Sequence, residues 1–170
     1  MVDIERQILS QIDLTYGTIL MPKGFEIDNE ILKKHIIEQN INSGIFGFSK
    51  EWDKLNTYLR EHYYCKFFRH LINKNNIGLM FKPYQSNIPN NEVDKLELRN
   101  SADYVMLYGV DVENCKVRIY YDDNRRAGRS WDMNLETNKF IMFPSTQTYH
   151  IENNQKEKLN FILKIHYEYI

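Results

Sequence analysis

Hydrophobic and polar positions recur in two different rhythms along this chain, and the rhythm changes near residue 75. Before that point apolar positions return at steps of three and four. Ile31, Leu32, His35 and Ile36 share one face, and Asp28 ahead of them is suited to accept from the free N–H groups of a first helical turn. This predicts a helix from Asp28 to about Gln39. Trp52, Leu55, Leu59, Tyr63, Phe67 and Leu71 predict a longer helix from about Lys50 to Asn73, with Ser49 as its cap. Two earlier pieces stand outside the rhythm. Leu14 to Met21 reads as a strand ended by Pro22-Lys23-Gly24, and residues 1–12 fit a short amphipathic start or a docking strand equally well.

After residue 75 the period drops to two. Ile77 to Tyr84, Asp94 to Arg99, Tyr104 to Tyr108, Lys116 to Tyr121 and Lys139 to Phe143 all read as strands. Asp122-Asp123-Asn124 with Ala127-Gly128 supplies a chain reversal, and Pro144-Ser145 stops the strand that ends at Phe143. The last segment alternates most cleanly. Leu159, Phe161, Leu163, Ile165, Tyr167 and Tyr169 take one face, and Asn160, Ile162, Lys164, His166 and Glu168 take the other. Helices followed by antiparallel strands predict an α+β fold in a single domain, 1–170. A mainly helical support region, 1–75, would pack on an antiparallel double-stranded β-helix, or jelly roll, at 77–170.

Composition narrows the function classes. The 170 residues carry 22 Lys and Arg against 23 Asp and Glu, so no global charge draws the chain to nucleic acid or to an anionic membrane. Twelve Tyr and nine Phe suit a β-rich fold. The two cysteines, Cys65 and Cys115, have no zinc-site or disulfide-framework spacing. The start MVDIERQILS lacks the basic and apolar regions of a signal peptide, and no apolar run approaches a membrane span, so a cytoplasmic protein is expected. Abundant Asn, Ile and Lys point to an AT-rich genome such as that of a phage.

The stretch Cys115 to His150 carries a resemblance. A hydrophobic strand reaches Tyr120-Tyr121, passes an Asp/Asn-rich turn and Ala127-Gly128, and continues to Phe143-Pro144-Ser145 and then His150. This order resembles the second half of the Fe(II)/2-oxoglutarate dioxygenase-like double-stranded β-helix, a cupin-like family, over about residues 100–170. The resemblance implies Fe(II) and 2-oxoglutarate as cofactors and His150 as the distal iron ligand. It implies Lys158 as the basic residue gripping the 2-oxoglutarate carboxylate, with Tyr120 grouped as a second cofactor contact. The family's proximal His-X-Asp/Glu triplet is missing. The two triplets of that form, His150-Ile-Glu152 and His166-Tyr-Glu168, lie downstream of its place, where the chain reads Gly109-Val-Asp111-Val-Glu113. Asp111 and Glu113 alternate onto one side and are the carboxylates able to complete a metal site with His150.

Other groupings have plainer explanations. Arg125, Arg126 and Arg129 suit an anionic ligand, yet Asp122, Asp123 and Asp132 beside them make a balanced, solvated hairpin tip. Tyr120, Tyr121, Trp131 and Tyr149 fit a binding patch or ordinary cross-strand packing, with packing favoured. His62, Cys65 and His70 do not share a helix face. Two functions follow. One is an Fe(II)/2-oxoglutarate oxygenase-like protein, active or catalytically degenerate, hydroxylating a small molecule or a protein. The other is a non-enzymatic jelly-roll binding or structural module, in keeping with a phage origin, acting through protein contacts. Self-association is open under both, and neither calls for membrane or nucleic acid.

Overall fold

A computed structural model describes residues 3–7, 13–20, 26–42, 50–61, 68–83, 88–89, 102–121 and 128–170. In chain order the elements are β1 (Thr15–Thr18), α1 (Asn29–Asn42), α2 (Lys50–Glu61), β2 (Leu71–Phe81), β3 (Ile88–Pro89) and β4 (Tyr104–Asp111). They continue with β5 (Cys115–Tyr121), β6 (Arg129–Leu135), β7 (Lys139–Pro144), β8 (Thr148–Asn153) and β9 (Asn160–Tyr169). The strands form two antiparallel sheets. Sheet A runs β1-β7-β4-β9-β2 and sheet B runs β3-β8-β5-β6. From β4 to β9 the chain crosses between the sheets at every step except β5 to β6, which pair within sheet B, and the architecture is jelly-roll-like.

Sheet A is buried on both faces, and this explains its composition. Its outer face meets Leu32 and Ile36 of α1 and Leu55 and Leu59 of α2, together with Met106, Tyr108, Phe161, Leu163, Ile165 and Tyr167. Its inner face meets sheet B through Val105, Leu107, Ile141, Phe143 and Ile162, against Val117, Ile119, Tyr149 and Ile151. A strand enclosed on both sides needs apolar side chains at nearly every position rather than at alternate ones. β4 and β9 have that composition.

Local chemistry sets the helix. Asp28 Oδ1 accepts from the N–H groups of Glu30 and Ile31, which satisfies two donors of the first turn of α1. On the sheet side, the Gly78 N–H donates to Gln39 Oε1 at 2.9 Å, and a Cβ at Gly78 would lie 2.7 Å from Ile36 Cγ1. Glycine is what lets α1 approach β2 so closely. Leu71 to Asn73, expected at the end of a long helix, instead open β2, which pairs with β9 from Leu71↔Tyr169 onward. The helical region is therefore shorter than 1–75. The expected strand Asp94 to Arg99 and the turn Asp122 to Ala127 lie outside the described residues. So do residues 8–12, 62–67 and Tyr84.

Candidate functional site

The barrel has two ends, and they differ in how their buried polar groups are satisfied. Pairing in antiparallel strands places opposed residues on one face. On sheet A the inner-face rows are Phe143–Val105–His166 and, one step along, Ile141–Leu107–Lys164–Ile77. On sheet B the matching rows are Trp131–Ile119–Tyr149 and Met133–Val117–Ile151. The Phe143 and Tyr149 rings lie 5.1 Å apart, so the two sheets meet at this level. Asn153 and Asn160 lie at the opposite end.

At the asparagine end the described polar side chains are engaged. Asn160 Nδ2 donates to Asn153 Oδ1 at 2.6 Å and to the Glu113 carbonyl at 2.9 Å, and its Oδ1 accepts from the Glu113 N–H. Asn153 Nδ2 donates to the Lys82 carbonyl. At the other end His166 is 2% exposed, and neither ring nitrogen has a hydrogen-bond partner. Lys164, two residues earlier on the same face, is also buried. Burial first, and the Lys164 charge second, push the His166 imidazole down to about 4. The ring is therefore neutral near pH 7, with one N–H donor and one acceptor, both without a protein partner. An unmet buried polar group costs roughly 1–3 kcal/mol. Among the described residues, the pairing neighbours of Lys164 and His166 on this face include the apolar Val105, Phe143, Leu107 and Ile77.

No family model and no curated protein sequence matches the chain. Solved structures do. The chain is similar to the non-heme alpha ketoglutarate dependent epimerase SnoN from nogalamycin biosynthesis, with TM-score 0.62 and 9% identity, over 91% of this chain and 77% of that one. It is similar to a Pseudomonas putida prolyl-4-hydroxylase, with TM-score 0.57 and 9% identity over 92% of each chain. It is similar to the non-heme alpha ketoglutarate dependent carbocyclase SnoK from nogalamycin biosynthesis, with TM-score 0.58 at 11% identity, over 91% of this chain and 78% of that one. The fold is 2-oxoglutarate oxygenase-like. At these identities the likeness is one of fold.

Within this oxygenase-like barrel the residues singled out from sequence stand apart. His150 lies on β8 between two inward side chains, Tyr149 and Ile151, and so faces outward from sheet B. There its Nε2 meets Tyr120 Oη at 3.1 Å, beside Arg118, which holds Asp132 through two contacts of 2.8 and 3.2 Å. That ion pair lowers the Asp132 carboxyl below its usual range. Asp132 thus pairs with Arg118 across the ladder. Asp111 is on the other sheet, facing the helices, with its carboxylate 2.9 Å from Lys33 Nζ. That hydrogen bond raises the Lys33 ammonium. Glu113 lies beyond the end of β4, where its Oε2 accepts from Gln155 Nε2. Lys158 is exposed in the β8–β9 connection.

His150, Asp111 and Glu113 therefore occupy three separate places and do not fit an iron centre. A β-bulge between Gly109 and Asp111 turns Asp111 toward the helix layer. Among the described residues no three His, Cys, Asp or Glu side chains come together to hold a metal ion. Among the described residues Lys164 is buried on the inner face of the barrel, whereas Lys158 is exposed. Sequence alternation placed Lys164 and His166 on one face but assigned neither a role in a site. The signal was available: Ile162 shares the face, and two-sided burial would have put both residues inside. Replacing His150 with Ala is expected to change stability by about 1 kcal/mol or less, and to leave 2-oxoglutarate binding unaltered. Denaturant unfolding and calorimetry on that variant check both.

Proposed function

We propose that this chain is a catalytically degenerate relative of the oxygenase fold that binds a small carboxylate inside its barrel, 2-oxoglutarate first among candidates. One observation carries the reading. His166 is buried with both ring nitrogens unpartnered, next to Lys164 on the inner face of β9. An ammonium and a carboxylate form a charge-assisted hydrogen bond, about twice as strong as a neutral one, and the surrounding Leu107, Ile77, Val105 and Phe143 exclude water from it. SnoN has been solved in complex with Fe3+, alpha ketoglutarate and nogalamycin RO, at TM-score 0.59 and 8% identity to this chain. That complex supports testing 2-oxoglutarate first. The dispersed positions of His150, Asp111 and Glu113 favour binding over an oxidative step at His150.

The test is a calorimetric titration of 2-oxoglutarate into chelator-treated protein, wild type beside Lys164→Met. Saturable binding is expected in the wild type. Losing a hydrogen bond to a charged group, roughly 1.5–3 kcal/mol, weakens binding by roughly 10- to 150-fold in the variant. Circular dichroism and thermal unfolding establish that the variant is folded. No binding by the wild type, or equal binding by a folded variant, sinks the proposal.

A further inference from the structure

We propose that the open edge of sheet B, beside β6 and beneath β1, receives an extended segment of a partner polypeptide. That segment alternates apolar and basic side chains and adds to the sheet as a further strand. The ground for it is a mismatch between the two layers. Sheet A has five strands and sheet B four. Short connections fix which strands oppose each other, since residues 112–114 join β4 to β5 and residues 136–138 join β6 to β7. β5 therefore lies against β4, and β6 against β7. β1 comes next after β7 in sheet A, and among the described residues no strand of sheet B lies opposite it.

Side chains at this margin are only half covered. Tyr16 pairs with Ile141, an inner-face residue, and so shares the inner face of sheet A, yet it is 57% exposed. Leu14, two residues earlier, and Met133 of β6 are partly buried against the same core. Trp131 pairs with Ile119 on the inner face of sheet B and is 48% exposed. An added strand next to β6 would lie under Tyr16 and cover Trp131. Nor is the edge defended in the usual ways, by proline, lysine, a mid-strand inward charge or shortness. β6 runs for seven residues without Pro or Lys, and its inward charge is Arg129 at the first position. At β2, the far edge of sheet A, α1 stands over the strand and Gln39 accepts from the Gly78 N–H.

β5 shows what chemistry β6 takes as a neighbour. On its paired side, Val117 meets Met133 and Ile119 meets Trp131 inside, while Arg118 meets Asp132 outside. Arg118 holds Asp132 at 2.8 and 3.2 Å, and the Asp132 side chain is still 40% exposed. A carboxylate has lone pairs for more than one donor. A basic residue opposite Asp132 on the open edge would therefore add a cross-strand pair of opposite charge. Main-chain hydrogen bonds would supply affinity, and the alternating contacts selectivity. A second copy fits less well. Antiparallel pairing of β6 with β6 of another copy keeps both A sheets on one side, where the two β1 strands would need the same space.

The probe is a synthetic peptide with the sequence of residues 115–121, carrying Cys115→Ser. Its control has the same residues re-ordered so that apolar and basic ones are grouped, which leaves no register with an apolar inner face. Saturable binding of the first peptide is expected, with slowed amide hydrogen exchange at residues 129–135. Trp131→Lys puts an inward charge at the edge and should weaken binding roughly tenfold or more. Tyr16→Ser should weaken it severalfold. Both positions are exposed, and circular dichroism establishes that each variant is folded. No binding, equal binding of the grouped peptide, exchange slowed only in other strands, or unchanged affinity in the folded variants overturns the proposal. Protection of residues 129–135 without peptide, rising with protein concentration as a dimer forms, would assign the edge to a second copy and overturns it too.

Discussion

Gly109→Ala is expected to destabilise the protein by about 3 kcal/mol, at the upper end of what overpacking usually costs. A Cβ at this position would overlap the carbonyl oxygen of Glu136 and lie 2.9 Å from its carbonyl carbon. Both are backbone atoms, so no rotamer change relieves the clash. Nor is the β6–β7 turn free to retreat. The Asn138 N–H donates to the Gly109 carbonyl at 2.8 Å, the Ile19 N–H donates to the Asn138 carbonyl at 2.7 Å, and the Val112 N–H donates to Thr137 Oγ1. Asn138 already holds a φ of 67°, a left-handed conformation that asparagine tolerates better than most residues. Its Oδ1 accepts from Tyr108 Oη and from Asn29 Nδ2, which ties the turn to α1. Urea unfolding measures the effect. A loss under about 1 kcal/mol would mean that the turn can shift, and that these contacts hold it less firmly than their number suggests.

That turn also shows where sequence reasoning stops. The β9 faces, the Asp28 cap and the order of helices before strands follow from local rules, because period and capping act within a few residues. β6 does not show in the same way. Its sequence, RSWDMNL, is the open edge of sheet B and is mostly exposed, so burial leaves little alternation to read. The long helix fails for a different reason. Leu71 fits a four-residue step after Phe67, yet it is buried as the first residue of β2, and an apolar residue at an element boundary satisfies either period.

The site is harder still. His150 attracts notice because it follows a Phe-Pro-Ser corner, but strand parity decides where it points. Tyr149 and Ile151 are the buried residues of β8, so the neighbouring histidine must face out. A one-residue difference in register separates an interior ligand from a surface hydrogen bond. Lys164 and His166 could be told from solvent-facing residues only by knowing that β9 is an interior strand of a sheet covered on both sides. That is a tertiary fact, carried by α1, α2 and sheet B together.

Acidification is expected to destabilise the wild type by on the order of 3 kcal/mol more than His166→Leu, between about pH 6.5 and pH 4. The sign follows from proton counting. In the unfolded chain His166 titrates near the ordinary 6.5, whereas in the fold burial and Lys164 hold it at about 4. Between those values the unfolded state binds the extra proton, so unfolding becomes easier as pH falls. Above pH 6.5 the contribution is fully present, and below pH 4 no further slope remains. Carboxylates titrate in both proteins, so the difference between the two stability curves isolates this ring. Near pH 7 the leucine also removes two buried nitrogens without partners, and His166→Leu should be as stable as the wild type or more so. Under the proposed carboxylate reading, this cost to the fold is offset when a ligand partners the ring. Stability curves that stay parallel down to pH 4 would show that the His166 ring finds partners in solution, and the carboxylate site would lose its main support.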